Sequence, residues 1–281
     1  MVLKQNKYLG LVSVSIVIYK NDINELKLAI DSVLNSEFIH KLYLVDNSPD
    51  DSLKVLQQIS PKIEYISNPK NPGFGAAHNI AVKLSEKDDV KYHLILNPDV
   101  EFKKDVISEL FHFMENNENC ALVMPKVLYK NGDLQYLCKK LPTPFELFGK
   151  RLPFKSLKNF INYDLELRMF NYNEKLNVPY LSGCFMFCKV KPLVSIGGFD
   201  ELYFMYMEDL DLTRRLHRDF LTIYYPKVYV IHGYRSESKI NKKLLFELIF
   251  SAFKYYNKFG WFFDAERRRM NKGLLQKINS L

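Results

Sequence analysis

The chain contains no run of about 18 apolar residues, the length a membrane-spanning helix needs, so no transmembrane helix is expected. Its first apolar stretch, within MVLKQNKYLGLVSVSIVIYKND, alternates Val, Ser and Ile as a strand does. No small-residue cleavage site follows it, so it reads as a first β-strand and not as a signal peptide. The expected location is the cytoplasm. Cysteine is scarce. Cys120, Cys138, Cys184 and Cys188 form no C-x-x-C pair and have no histidine at zinc-ligand spacing, which argues against a zinc or redox centre. Cys184 and Cys188, in an apolar run, are expected to pack as small hydrophobes. The chain also lacks a G-x-G-x-x-G fingerprint, a P-loop lysine, internal repeats and low-complexity linkers, which excludes the commonest dinucleotide and nucleoside-triphosphate cradles.

What remains is ordinary globular composition, 47% hydrophobic and 26% charged over 281 residues, enough for one large α/β domain or two small ones. Aromatics are plentiful, with 21 Phe and 18 Tyr. The net charge of +8 is uneven: Arg235 to Leu281 holds eleven Lys/Arg against four Asp/Glu, which leaves the first 234 residues at +1. A neutral body with a basic tail suggests an anionic partner for the tail.

Strand-like and helix-like patterns alternate through the first half. Strands are expected at 11–19, 41–47, 63–68 and 92–97, with helices at 24–35, 51–60, 73–86 and about 103–117. This order predicts a mostly parallel sheet flanked by helices on both faces. Ligands bind such sheets beyond the carboxyl ends of the strands, where Tyr19, Asp46, Asn47, Asn97 and Asp99 fall. Residues 130–178 are irregular and read as a mobile loop with short helices, in the manner of a lid. Strand pattern resumes at 178–189 and 221–226, a short helix begins at Glu208, and helical sequence fills 242–259 and the Arg-rich end.

Several residues admit two readings. Asp46, in LVDNSPDD, is a turn former or a carboxylate for the imide N–H of a uracil or thymine. The glycines of NPKNPGFGAAHN make a tight turn, or let backbone approach a phosphate or sugar at a helix N-terminus. Asp99 is a helix cap or a ligand for a divalent metal. Glu208, Asp209 and Asp211 crowd one turn, followed by Arg214 and Arg215. Asp211 and Arg215 can pair at i,i+4 on a solvated helix, yet Phe204, Met205, Tyr206 and Met207 should bury its start. A carboxylate half-buried beside like charges gains a raised pKa suited to a general base. His232 is structural, or reaches a metal held by Asp99.

These segments in this order (VSIVIYKND, LVDNSPDD, NPGFGAAHN, LILNPDV, SGCFMFCK, GGFDELYFMYMEDLDLTRRL and the His232 region) resemble glycosyltransferase family 2, especially its bacterial rhamnosyltransferase-like branch. The resemblance implies a Rossmann-like GT-A domain over 1–236, with 237–281 as a basic helical extension packed on it. It implies that Tyr19 and Asp46 hold the nucleotide base. Asn79 and the Gly73–Gly75 turn would line the donor pocket, with Asn97 beside the donor. Asn97-Pro98-Asp99 stands where the family carries Asp-x-Asp, so Asp99 would bind Mg²⁺ or Mn²⁺ with His232 as second ligand. Asp209 falls at the general base, supported by Glu208, in a single inverting displacement. The implied partners are a dTDP- or UDP-sugar, with dTDP-rhamnose first, and a cell-surface polysaccharide, lipopolysaccharide or lipid-linked glycan acceptor.

For the apolar helix at 242–259, three roles stay open: capping the core, docking to the inner face of the plasma membrane, or homodimerisation. A sugar-nucleotide-forming nucleotidyltransferase would need a basic Gly-rich signature near the N-terminus. A nucleic-acid binder would need a motif beside Arg267-Arg268-Arg269. Neither is present, and no nucleic acid is expected as a partner. A non-catalytic nucleotide-sugar-binding or membrane-surface scaffold is the remaining alternative class.

Overall fold

The structure, a computed structural model, describes residues 10–233 and 242–281. The chain opens with β1 (Val12–Ile18), α1 (Ile23–Leu34), β2 (Ile39–Asp46), a 3-10 helix (Ser52–Ile59), β3 (Ile63–Ser67), α2 (Phe74–Lys87) and β4 (Tyr92–Leu96). Then come β5 (Val100–Glu101), α3 (Asp105–Glu115), β6 (Cys120–Leu128), β7 (Cys138–Lys139), α4 (Pro144–Gly149), α5 (Lys155–Leu165), β8 (Leu176–Asn177) and β9 (Tyr180–Leu181). The last elements are β10 (Phe185–Lys189), α6 (Val190–Ser195), α7 (Glu208–Leu216), β11 (Leu221–His232), α8 (Lys242–Phe259) and α9 (Ala265–Asn279).

One sheet has the order β3-β2-β1-β4-β10-β6-β11-β5, with β8 also on β11. β1, β2, β3 and β4 pair in parallel, as do β6 and β11, while β10 runs against both of its neighbours. The α/β class and the mostly parallel sheet are therefore as expected. β6 is an addition: no strand was expected at 120–128, and Pro125 lies within it, a residue that central strands rarely hold. The partner strand resolves this. Register along β11 slips between Tyr225, opposite Pro125, and Tyr229, opposite Lys126, so the missing N–H falls at a bulge.

The two faces of β1 differ. Val14, Ile16 and Ile18 enter the main core with Leu26, Ile30 and Val33 of α1. Val17 packs against Ala77 and Ala81 of α2 on the other side. There Ser15 meets two buried histidines, with Oγ 2.6 Å from His78 Nδ1 and 2.7 Å from His93 Nε2. Ser85 donates to the Ala81 carbonyl, so it accepts from His93 Nδ1 at 2.8 Å. Each proton direction then follows: Ser15 donates to His93 and accepts from His78. Burial holds both imidazoles below their usual pKa, so they stay neutral and act as structural polar groups.

Residues 130–178 are packed and not a free lid. Leu141, Leu147, Ile161, Leu165, Leu167, Phe170 and Tyr172 are buried. The Tyr172 hydroxyl donates to the Glu166 carbonyl at 2.7 Å, and Tyr224 of β11 donates to the Tyr172 carbonyl at 2.9 Å. All four cysteines are free and buried.

α8 and α9 cover α7. Leu248, Ala252, Tyr255, Tyr256 and Met270 share a core with Tyr203, Met207 and Leu210. Arg214 of α7, 1% exposed, donates to both oxygens of Asp264 at 2.8 and 2.7 Å, to the Tyr255 hydroxyl at 2.9 Å and to Glu266 at 2.8 Å. Asp264 also caps α9 by accepting from the Arg267 N–H. The expected boundary at 236/237 lies outside the described residues. Removing one partner of a buried pair strands the other charge. Asp264→Ala is therefore expected to cost about 3–5 kcal/mol of unfolding free energy, and Arg218→Ala, on the exposed side of Glu266, less than about 1 kcal/mol. Urea unfolding of both variants checks this contrast.

Candidate active site

The strand ends gather the residues picked out by sequence. Tyr19 follows β1 with its ring 52% exposed. Asp46 ends β2 opposite Ile18 and is buried, accepting from the Ser48 N–H at 2.8 Å and the Tyr65 hydroxyl at 2.7 Å. Asn68 donates to Asn47 at 2.7 Å, and Asn47 reaches the Gly73 carbonyl at 3.5 Å. An exposed aromatic therefore sits beside a fixed carboxylate, at the edge where such sheets take ligands.

The glycines of α2 meet a loop distant in sequence. Gly73 has φ 108° and ψ 176°, a region open essentially to glycine alone. A Cβ there would lie 2.2 Å from the Phe204 carbonyl oxygen, and one on Gly75 would lie 2.8 Å from Phe199 Cβ. Phe74 N–H donates to that same Phe204 carbonyl at 2.9 Å. Gly73 thus admits the Phe204 backbone and Gly75 the Phe199 side chain, so both fit closely against the 199–204 loop. Asn79 acts likewise. Its amide nitrogen donates to the Phe199 carbonyl and to Glu201, and its oxygen accepts from Phe199 N–H, each at 2.9 Å. It holds the loop in place.

That loop leads into α7 through Tyr206 and Met207, both with φ 68°, a left-handed conformation uncommon for side chains of this size. Met207 and Glu208 are buried, as the flanking aromatics implied. Asp209 is half-buried. Its Oδ2 accepts from the Gly183 N–H at 2.9 Å and its Oδ1 from Leu210 N–H at 2.8 Å. A Cβ on Gly183 would lie 3.1 Å from Asp209 Cβ, so only glycine lets this amide approach comfortably. Glu208 Oε2 is buried with no hydrogen-bond partner. Burial, and then the neighbouring Asp209, push Glu208 well above the usual carboxylate range. Burial raises Asp209 too, opposed by the Gly183 N–H and by Lys139. Burial thus raises both carboxyls, with two backbone N–H groups opposing the rise at Asp209 and no hydrogen-bond partner on Oε2 of Glu208. Asp211 stands apart. It is buried and bonded to Arg215, Lys258 and Tyr203.

Asn97-Pro98-Asp99 turns out of β4, and β5 pairs with the end of β11, setting Val100 opposite His232. His232 Nε2 lies 3.3 Å from Asp99 Oδ1 and 3.4 Å from Asn97 Nδ2. Gln135 donates through its amide nitrogen to the His232 carbonyl at 2.9 Å, so its oxygen, 3.0 Å from Nδ1, accepts from the ring. Nδ1 thus carries a hydrogen, and Nε2 is the ring atom that faces Asp99 and that a cation there would engage. Among the described residues no group of three or more His, Cys, Asp or Glu could hold a metal. The Asn97 N–H donates to the Cys184 carbonyl at 2.9 Å and the adjacent Gly183 N–H donates to Asp209 at 2.9 Å, so the Asn97-Pro98-Asp99 turn and Asp209 are joined through residues 183–184.

Gln135, Lys139, Gly183 and Tyr65 were missed by sequence. Gln135 and Lys139 lie in the stretch read as loop, and only the glycine of SGCFMFCK carried a visible signal.

Residues 13–196 match the profile of glycosyl transferase family 2. Rhamnosyltransferase WbbL of Escherichia coli is 27% identical over 256 residues, 88% of this chain and 91% of that one. An N-acetylglucosaminyl-diphospho-decaprenol L-rhamnosyltransferase of Mycobacterium tuberculosis is 26% identical over 203 residues, 67% and 65% of the two chains. Among solved structures, GalNAc-T7 with UDP, GalNAc and Mn²⁺ superposes with a TM-score of 0.62 at 14% identity, over 90% of this chain and half of that one. S. aureus TarS with UDP gives 0.56 at 13% identity, over 96% and 72%. Both likenesses bear on the fold, which is GT-A-like.

A buried acid with a raised pKa binds its proton more tightly folded than unfolded, so it withdraws stability as pH rises above the ordinary glutamate value. Glu208→Gln abolishes that titration. Its stability relative to the parent is expected to improve from pH 5.5 to pH 8, by up to about 1.4 kcal/mol per pH unit, as read by thermal or urea unfolding at both pH values.

Proposed function

The chain belongs to glycosyl transferase family 2, and from that premise we propose an inverting rhamnosyltransferase that uses dTDP-rhamnose and a lipid-linked or cell-surface glycan as acceptor. The observation that carries the chemistry is the Glu208–Asp209 pair. A buried acid stands beside a half-buried carboxylate that is fixed by two backbone N–H groups. The names of the E. coli and M. tuberculosis relatives support the sugar. The second name also supports an acceptor carried on a polyprenyl diphosphate.

In this reading Asp209 takes the proton of the acceptor hydroxyl as its oxygen attacks the anomeric carbon. The bond from that carbon to the diphosphate oxygen breaks on the opposite face. One base without a separate nucleophile gives inversion. Tyr19 stacks on the base and the Asp46 region meets its edge. Asp99 and His232 would hold Mg²⁺ or Mn²⁺, which when bound supplies Lewis-acid neutralisation of the leaving diphosphate. Asn97 steadies the imidazole. Gly73, Gly75 and Asn79 act one step back by fixing the loop that carries the base. The catalytic domain is 1–236 and 237–281 an extension upon it.

The test is nucleoside diphosphate release from a panel of dTDP- and UDP-sugars with Mg²⁺ or Mn²⁺. Turnover of dTDP-rhamnose is expected, and preference for a UDP-hexose would replace the sugar assignment. Asp209→Asn is expected to lower kcat by about 10²–10⁴-fold while dTDP still raises the melting temperature. No stabilisation by either dTDP or UDP would overturn the reading. Because burial raises Asp209, its base form is lost as pH falls through a value above the ordinary aspartate range. The acid limb of kcat/KM should lie there, and an acid limb at the ordinary aspartate value would count against Asp209 as the base.

A further inference from the structure

α8 has two apolar faces, and among the described residues only one is covered. Its inner stripe, with Ala252, Tyr255 and Tyr256, is buried against α7. Phe246, Phe250 and Phe253, spaced i, i+4 and i+7 along another face, are exposed. The Phe253 ring lies 4.9 Å from Trp261 and 6.4 Å from Phe148 of α4, so apolar surface runs from α4 across α8 into the turn before α9. That turn ends in Phe262 and Phe263, 77% and 88% exposed. Beside it lies a groove of about 500 Å³ lined by Phe262, Arg268 and Lys272, with no acidic side chain among its described lining.

We propose that this surface docks the protein on an anionic lipid bilayer. Phe262, Phe263 and the Phe246–Phe250 stripe would enter the interface, and Arg268 and Lys272 would take lipid phosphates. Exposed aromatics beside basic side chains are what an interfacial helix presents, and each cation near a negatively charged leaflet adds attraction. A second copy of the chain fits less well, because a two-fold contact repeats one patch on both sides and would bring like cations together. The inner side of α8 holds the loop before the candidate base: Ser251 donates to the Met205 carbonyl at 2.8 Å, and Lys258 to Asp200 and Asp211 at 2.6 Å. The docked face would thus lie about one helix diameter, ~10–12 Å, from that loop. The proposal rests on this surface and not on the choice of donor or acceptor.

The full chain supplies its own probe, since Trp261, its one tryptophan, lies in the patch. Co-sedimentation and Trp261 emission are measured with vesicles of phosphatidylcholine, and of phosphatidylcholine with phosphatidylglycerol. Binding to the anionic vesicles at least tenfold tighter than to the neutral ones, weakened by salt and accompanied by a blue shift, is expected. Phe262→Ser with Phe263→Ser should weaken it at least tenfold, and Arg268→Gln with Lys272→Gln should remove most of the salt dependence. Neither pair should change stabilisation by dTDP or UDP, so a failure here is separable from a failure of the transferase reading. Equal binding to both vesicles, sedimentation without a Trp261 shift, or no binding would overturn the proposal. So would a dimer that Phe262→Ser with Phe263→Ser makes monomeric.

Discussion

The buried guanidinium of Arg214 is the constraint around which the C-terminal half is arranged. It cannot leave α7 without stranding Asp264, and Asp264 cannot move without uncapping α9. Such a pair adds little over a well-packed apolar substitute, because both charges had to be desolvated. What it adds here is position. It fixes α8 and α9 at one place on α7, and α8 in turn grips the loop that enters α7. The base-carrying end of that helix and its anchoring end lie within nine residues, so the C-terminal helices and the candidate site are mechanically one unit.

That arrangement explains how an unfavourable local geometry persists. Two successive left-handed residues, a buried carboxyl oxygen without a partner and two adjacent acids all oppose folding at the start of α7. They are held by contacts from outside the helix. Phe74 N–H meets the Phe204 carbonyl, Ser251 meets the Met205 carbonyl, and Asn79 holds Phe199. Strain that survives only because its surroundings over-determine it is typical of sites where a group must be held ready. The result is a carboxylate that needs little reorganisation when it accepts a proton.

Much of this was legible in sequence where chemistry and pattern coincided. The acidic cluster among aromatics marked the start of α7 to the residue, and the strand ends of the first half marked Tyr19, Asp46 and Asp99. Legibility failed where meaning depended on a partner distant in sequence. β6 went unread because its place in the sheet depends on β11, a hundred residues later, whose register slip takes up Pro125. Gly73 and Gly75 read in sequence as a tight turn or a ligand approach, and their contact with the 199–204 loop appears only once that distant loop is in place. Gln135 had no local signal, since its role exists only once β11 brings His232 beside it. The basic tail was legible only as a sum: Arg267 and Lys258 count toward its charge, yet both are engaged within the fold.

The metal locus shows why an incomplete protein site can still be a sound one. Asp99 and His232 offer one carboxylate and one imidazole, and a divalent cation held by these alone would keep most of its water. In the proposed reaction the missing ligands are diphosphate oxygens, which arrive with the donor. Metal and donor would then each complete the site for the other, and such coupling is reciprocal. A third protein carboxylate would tighten the metal in the empty enzyme but add negative charge where the leaving diphosphate must gather its own. In that reading an amide at Asn97, in place of a carboxylate, would keep that charge low, and the sparse ligand set would favour the state in which charge has moved onto the leaving group over the state before it.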